Sequence, residues 1–242
     1  MENEGKEVTA WFNVLNAAMK IPGAKVNRTH FLEKEFGRFY ENSDLQNIIQ
    51  IGTQRAGVDI KRMDRIADGV IKYHTLLVTS ISAVAGLPGG WWMAGTIPAD
   101  LTQYYYHVIV IAQKIAYIYG WPEFDGDASD DFLLTLTIFI GVMSGAKAAN
   151  EAIEIISKLL AKEIVKRLPK MALTKLGIFQ IAKQIAKWLG VKLTKDIFAK
   201  GVGKAVPIAG SVISGGITLA TFLPMAKRLK KKLKEELLEN LA

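Results

Sequence analysis

The chain has 242 residues, no cysteine, a hydrophobic half and a formal charge of +8. These figures exclude a disulfide framework, a thiolate metal site and a disordered chain, and they leave room for a substantial core. The lack of cysteine fits a reducing compartment. MENEGKEVTA at the start lacks the basic-then-apolar order of a secretory signal, so a cytosolic protein is expected.

The charge is unevenly spread. Residues 1–150 carry 13 Lys/Arg against 16 Asp/Glu, a net of −3, and residues 151–242 carry 18 against 7, a net of +11. A basic half beside long apolar segments favours an anionic partner, either lipid headgroups or nucleic acid.

In chain order the periodicity is helical, with no convincing period-two run. A first helix is expected over 7–20, stopped by Ile21-Pro22-Gly23, and a second over about 29–41. Asn42-Ser43-Asp44 then caps a third at about 44–51. A long helix over 59–84 begins charged (Asp59, Lys61, Arg62, Asp64, Arg65, Asp68) and ends bare.

The 26 residues 74–99 hold no charge if His74 is neutral, which is long enough by count to enter a bilayer. Gly86-Leu87-Pro88-Gly89-Gly90 interrupts them, because glycine frees the backbone and proline removes a donor. Each half is then about 18 Å of helix, too short to span. The segment reads as an apolar helical hairpin, dipped into a membrane or buried in a core. Pro98 suits the first turn of a helix over about 97–119, closed by Gly120 and Trp121-Pro122.

DGDASDD (125–131) resembles half of a calcium loop but fails the pattern: its sixth position is Asp130 and its twelfth Leu136. It reads instead as the acidic start of a helix over 130–146. In IFQIAKQIAKWL, Ile178, Ile181, Ala182, Ile185, Trp188 and Leu189 form one face, opposite Gln180, Lys183, Gln184 and Lys187. That pattern suits a solvated lysine face on a core, or a helix lying on an anionic membrane.

The 22 residues 205–226 are a second bare segment, interrupted by Pro207, Gly210 and Gly215-Gly216. Ser211 and Gly215 have the small-xxx-small spacing of closely packed helices. A basic run from Lys227 to Lys234 follows, of the kind found cytoplasmic of a membrane segment.

LPGG, IPAD, the polar-aromatic helix ending IAYIYGW, and IAGSVISGGITLATFLPMAKRLKKKL together resemble the bacterial EcsC family over roughly residues 75–242. The resemblance implies an all-helical bacterial protein, in some genomes encoded beside an ABC transporter linked to secretion. It implies no enzymatic activity and no cofactor.

One candidate ligand-binding face comes from the residues themselves. Asp100, Gln103, Tyr104, His107 and Lys114 share a helix face at spacings of three, four and seven. Asp100 and His107 stand about 10 Å apart along the axis, which excludes a direct Asp–His relay. The bland alternative makes Asp100 a first-turn cap and the aromatics an interfacial belt. Ser144-x-x-Lys147 matches an acyl-enzyme spacing no more often than chance allows, and no Walker, nucleophile-elbow, zincin or dinucleotide motif occurs. Three histidines make a histidine-rich metal centre improbable.

The expectation is therefore a single all-α domain with two glycine-broken apolar helical hairpins, residues 1–70 forming an N-terminal helical segment continuous with 71–242. The protein is expected to associate peripherally, or partly inserted, with the cytoplasmic face of the bacterial membrane. It would bind anionic lipid or a membrane partner, as an accessory to an ABC transporter or to secretion, without catalysis, cofactor or metal. The expected lipid contacts are Trp91, Trp92, Lys183, Lys187, Lys227, Arg228, Lys230 and Lys231. The alternative is a soluble helical protein holding an apolar ligand near Asp100 and His107, with hydrolytic activity. Nucleic-acid binding ranks last, for want of a recognition motif.

Overall fold

A computed structural model describes residues 2–85, 99–124, 130–162, 177–203 and 210–240. Among them are nine helices and no strand: α1 Glu2–Met19, α2 Arg28–Phe36, α3 Asn42–Ile51, α4 Ile60–Ala85, α5 Ala99–Ile118, α6 Asp130–Ser144, α7 Lys147–Lys162, α8 Ile178–Gly203 and α9 Gly210–Glu239. The all-α single domain is as the periodicity indicates.

Two helices lie inside the others. From Phe132 to Met143 every residue of α6 is buried, and so is α5 from Val108 to Ile118 apart from the half-buried Lys114. A helix apolar all round has no solvated face to offer, so it ends in the middle. α1 packs on α5 and α8, α4 on α5 and α9, and α6 on α7, α8 and α9. Two glycines permit these contacts. A Cβ at Gly190 would lie 2.1 Å from the Glu7 carbonyl oxygen, and one at Gly141 would lie 2.6 Å from Ile185 Cγ2. The α8 backbone thus rests directly on α1, and α6 on α8.

Polar side chains inside mostly find partners, Glu7 Oε2 and Glu236 Oε1 being buried without a hydrogen bond. Trp11 Nε1 donates to Thr137 Oγ1 at 2.9 Å. Gln113 Oε1 accepts from Val26 N at 3.0 Å while its Nε2 donates to the Ala24 carbonyl at 2.7 Å, which pins the loop after α1 to α5. Left unpaired, such buried groups would each cost about 1–3 kcal/mol.

Several boundaries differ from the sequence reading. α2 begins at Arg28, because the Asn27 side chain caps it by accepting from His30 N, and it ends at Phe36, one residue before Gly37. The cap of α3 is Glu41 rather than Asn42-Ser43-Asp44, and it makes no side-chain bond. The second apolar segment is helical through Gly215-Gly216 and Pro224, continuing into the basic run as α9. Glycine tolerates a helix at a modest cost, and packing against α4 outweighs it. The expected break at Pro207, like 86–98 of the first hairpin with Trp91 and Trp92, lies outside the described residues. Most of DGDASDD does too.

Candidate functional site: a buried histidine pair and an apolar pole

α4 and α5 face each other through two histidines. His74 on α4 and His107 on α5 are each 4% exposed, with Nδ1 atoms 3.4 Å apart. Lys114 Nζ sits 3.0 Å from His74 Nε2, and the Gln103 amide 3.5 Å from His107 Nε2. An ammonium has only donors to offer, so His74 Nε2 accepts. Its Nδ1–H then donates to His107 Nδ1. His107 carries its proton on Nε2 and gives it to the Gln103 amide oxygen. This tautomer and amide orientation are assigned from the network.

Burial, then the Lys114 charge, then the other imidazole hold His74 down to about 3. Burial and Lys114 hold His107 at about 4. Lys114 is itself lowered by burial, against the pull of Glu35, and its ammonium lies 5.6 Å from the Phe31 ring centre. Two neutral imidazoles and one amine are chained through an apolar interior.

Of the residues expected to bind ligand, Gln103 and His107 are therefore brought together, but each is engaged by protein. Tyr104 points elsewhere: its hydroxyl donates toward Thr221 Oγ1 at 3.4 Å and Met225 Sδ at 3.2 Å on α9, and its ring meets Phe222 edge-on. Asp100 is in the first turn of α5, and its side chain lies outside the described set. Sequence reasoning missed His74 as the partner of His107. Its only signal was that both histidines stand in uncharged stretches, His74 at the start of 74–99 and His107 within 101–113. Two imidazoles alone do not complete a tetrahedral site, and no group of three His, Asp or Glu converges among the described residues.

The basic run behaves unexpectedly. Lys230 Nζ pairs with Asp68 at 2.7 Å and Asp64 at 3.7 Å, and Lys234 Nζ with Asp64 at 2.6 Å. Tyr119 donates to Asp64 at 2.6 Å. Burial alone would raise Asp64, but these bonds and the Lys230 charge hold it below the usual carboxylate range. Arg228 donates to the Met143 carbonyl, capping the C-terminal turn of α6. Lys230 and Arg228 are thus committed internally. Lys227 is exposed, and so is Lys231 apart from a 3.7 Å contact with Glu235. On α8, Ile178, Ala182, Ile185 and Leu189 are buried, and Lys183 is exposed over the Phe179 ring at 4.4 Å. Lys187 is half-buried. Trp188 leaves the expected core face and lies 41% exposed under Lys192.

These pairs also fix direction. Asp64 with Lys234 and Asp68 with Lys230 make α4 and α9 antiparallel. Asp64 with Tyr119 and His74 with His107 do the same for α4 and α5. The bare C-terminal end of α4, the start of α5 and the bare start of α9 therefore lie at one pole. Tyr73 and Leu76, each 59% exposed, and Leu219, 43% exposed, are on its flank. By register, the exposed Lys72 and Lys227 are level with each other just below. No described helix is long and apolar enough to cross a membrane. No family model, no curated protein and no solved structure matches this chain.

Proposed function

We propose that this protein is a non-enzymatic, peripheral membrane protein that seats its apolar pole in the headgroup–acyl boundary of an anionic leaflet. The observation that carries this reading is the gathering of the bare ends of α4 and α9 at one pole with the start of α5, where Asp100 is the one charged residue, with exposed Tyr73, Leu76 and Leu219 on the flank and lysines at the next level down. An apolar tip above a basic collar matches the two layers of a leaflet, with acyl chains beneath anionic headgroups. Each lysine near such a surface contributes on the order of 1 kcal/mol. The resemblance to the EcsC family points the same way, and with it to an accessory role beside an ABC transporter or in secretion.

Flotation with phosphatidylglycerol and with phosphatidylcholine vesicles tests this. The chain should float with the anionic vesicles, and changing Lys72, Lys183, Lys227 and Lys231 together to glutamine should weaken binding at least about tenfold at low salt. Leu76→Glu should weaken binding to the same vesicles in high salt, where the lysines are screened. Recovery of the parent chain entirely in the unbound fraction with both lipids would sink the reading.

A further inference from the structure

At the opposite end of the same helices is a cleft of about 330 Å³, the small end of the range for small-molecule sites. Its walls have an unusual origin. Gln50 and Ile51 close α3, Gly120 follows α5, Leu160 and Ala161 close α7, and Glu236 and Asn240 close α9. Four helix C-termini converge on one space, each with last-turn carbonyls that lack a partner within their own helix and the equivalent of about half a negative charge. Only one N-terminus, that of α2, meets the cleft, and Asn27 already caps it.

The chain has twice filled part of this carbonyl surface with guanidinium. Arg28, buried at the first position of α2, donates Nε to the Trp121 carbonyl at 3.1 Å and Nη1 to the Ile49 carbonyl at 2.6 Å. Arg55 donates Nη2 to the Leu160 and Ala161 carbonyls at 2.9 and 3.1 Å. These donors are spent on backbone, which lessens what they offer an anion. Among lining side chains the two arginines are balanced by Glu123 and Glu236, so the helix ends tip the cleft negative. Glu236 is 2% exposed. Its Oε2 accepts from Ser157 Oγ at 2.6 Å, while Oε1 touches Lys232 as an ion pair and accepts no hydrogen bond.

We propose that this cleft binds a small organic cation, an ammonium or guanidinium compound, with its charge against Glu123, Glu236 and the helix-end carbonyls. The chemistry is that of Arg28 and Arg55, repeated by a diffusible ligand. The site is remote from the apolar pole and does not depend on the membrane reading.

Calorimetric titration of the full chain with agmatine and with spermidine, beside citrate as an anionic counterpart, tests the proposal. At least one amine should bind and citrate should not. Glu123→Gln, at a half-buried position, should weaken the amine at least about tenfold. Ala161→Trp, which fills the mouth from an exposed position, should abolish binding, with circular dichroism confirming the fold of both variants. The proposal is overturned if neither amine binds at about 10 mM, if citrate binds instead, or if amine affinity survives both substitutions unchanged.

Discussion

The two ends of α4, α5 and α9 are built on opposite principles. At one end Asp64 gathers Lys230, Lys234 and Tyr119 into a charged knot. At the other, Asp100 in the first turn of α5 is the one charged residue over the last or first turns of the same three helices, and the contacts are aromatic and aliphatic, as between Tyr104 and Phe222. The histidine pair lies between. The contrast teaches that α9 is not a membrane anchor followed by a free basic tail. Its basic half is fastened to α4, which fixes where its bare half points.

The largest effect should come from the apolar end. Phe222 is fully buried against Tyr104, and Phe222→Ala should cost about 3–5 kcal/mol in urea unfolding. A loss below about 1 kcal/mol would show that this end is loosely packed in water, and the contrast would fail.

Acid should act next, at the boundary. Both imidazoles are held neutral, near 3 and 4, whereas in the unfolded chain they titrate near 6.5. The unfolded state therefore binds more protons between those values, so stability is full above about pH 6.5 and falls as pH drops through the window. Each histidine contributes up to about 1.4 kcal/mol per pH unit, or up to about 4 kcal/mol for the pair between pH 6.5 and 5. Replacing His74 with Leu and His107 with Met together should flatten that slope in urea midpoints. An unchanged slope in the double variant would place the titration elsewhere.

The charged end should respond least. Asp64→Asn removes the acceptor of two lysines and a tyrosine, at a cost of about 1.5–3 kcal/mol, toward the lower figure because the carboxylate keeps some water. Burial and then the Asp64 hydrogen bond push Tyr119 far above its ordinary ionisation, so the variant should lower it in an alkaline ultraviolet titration. A tyrosine titration identical to the parent's would mean that the knot does not form in solution.

Local chemistry was legible in the chain. The interior helix α6 shows after Asp131 as a run without a charged residue, α5 closes at Gly120 with φ +84°, and Lys183 and Gln184 fall on the outer side of α8 by spacing, with Lys187 half-buried. The face of Gln103, Tyr104 and His107 was also legible, but not its use. A helix face says which side chains share a side, not what comes to meet them. His107 is met by His74 from 33 positions earlier, and Tyr104 by Thr221 from 117 later.

What the sequence by itself determined is the helical class, the ends of α3 to α6 to within about two residues, the two bare segments and the basic second half, because these follow from period, turn residues and counts. What only the tertiary structure decided is pairing. Lys230 and Lys234 look like like-charge neighbours along their own helix, and their counter-ions Asp64 and Asp68 lie 162 to 170 positions away. The bare segments share a pole because those ion pairs hold α4 and α9 antiparallel. Four helix ends share a cleft for the same reason: a helix's direction is written in its residues, but its neighbours are chosen by packing.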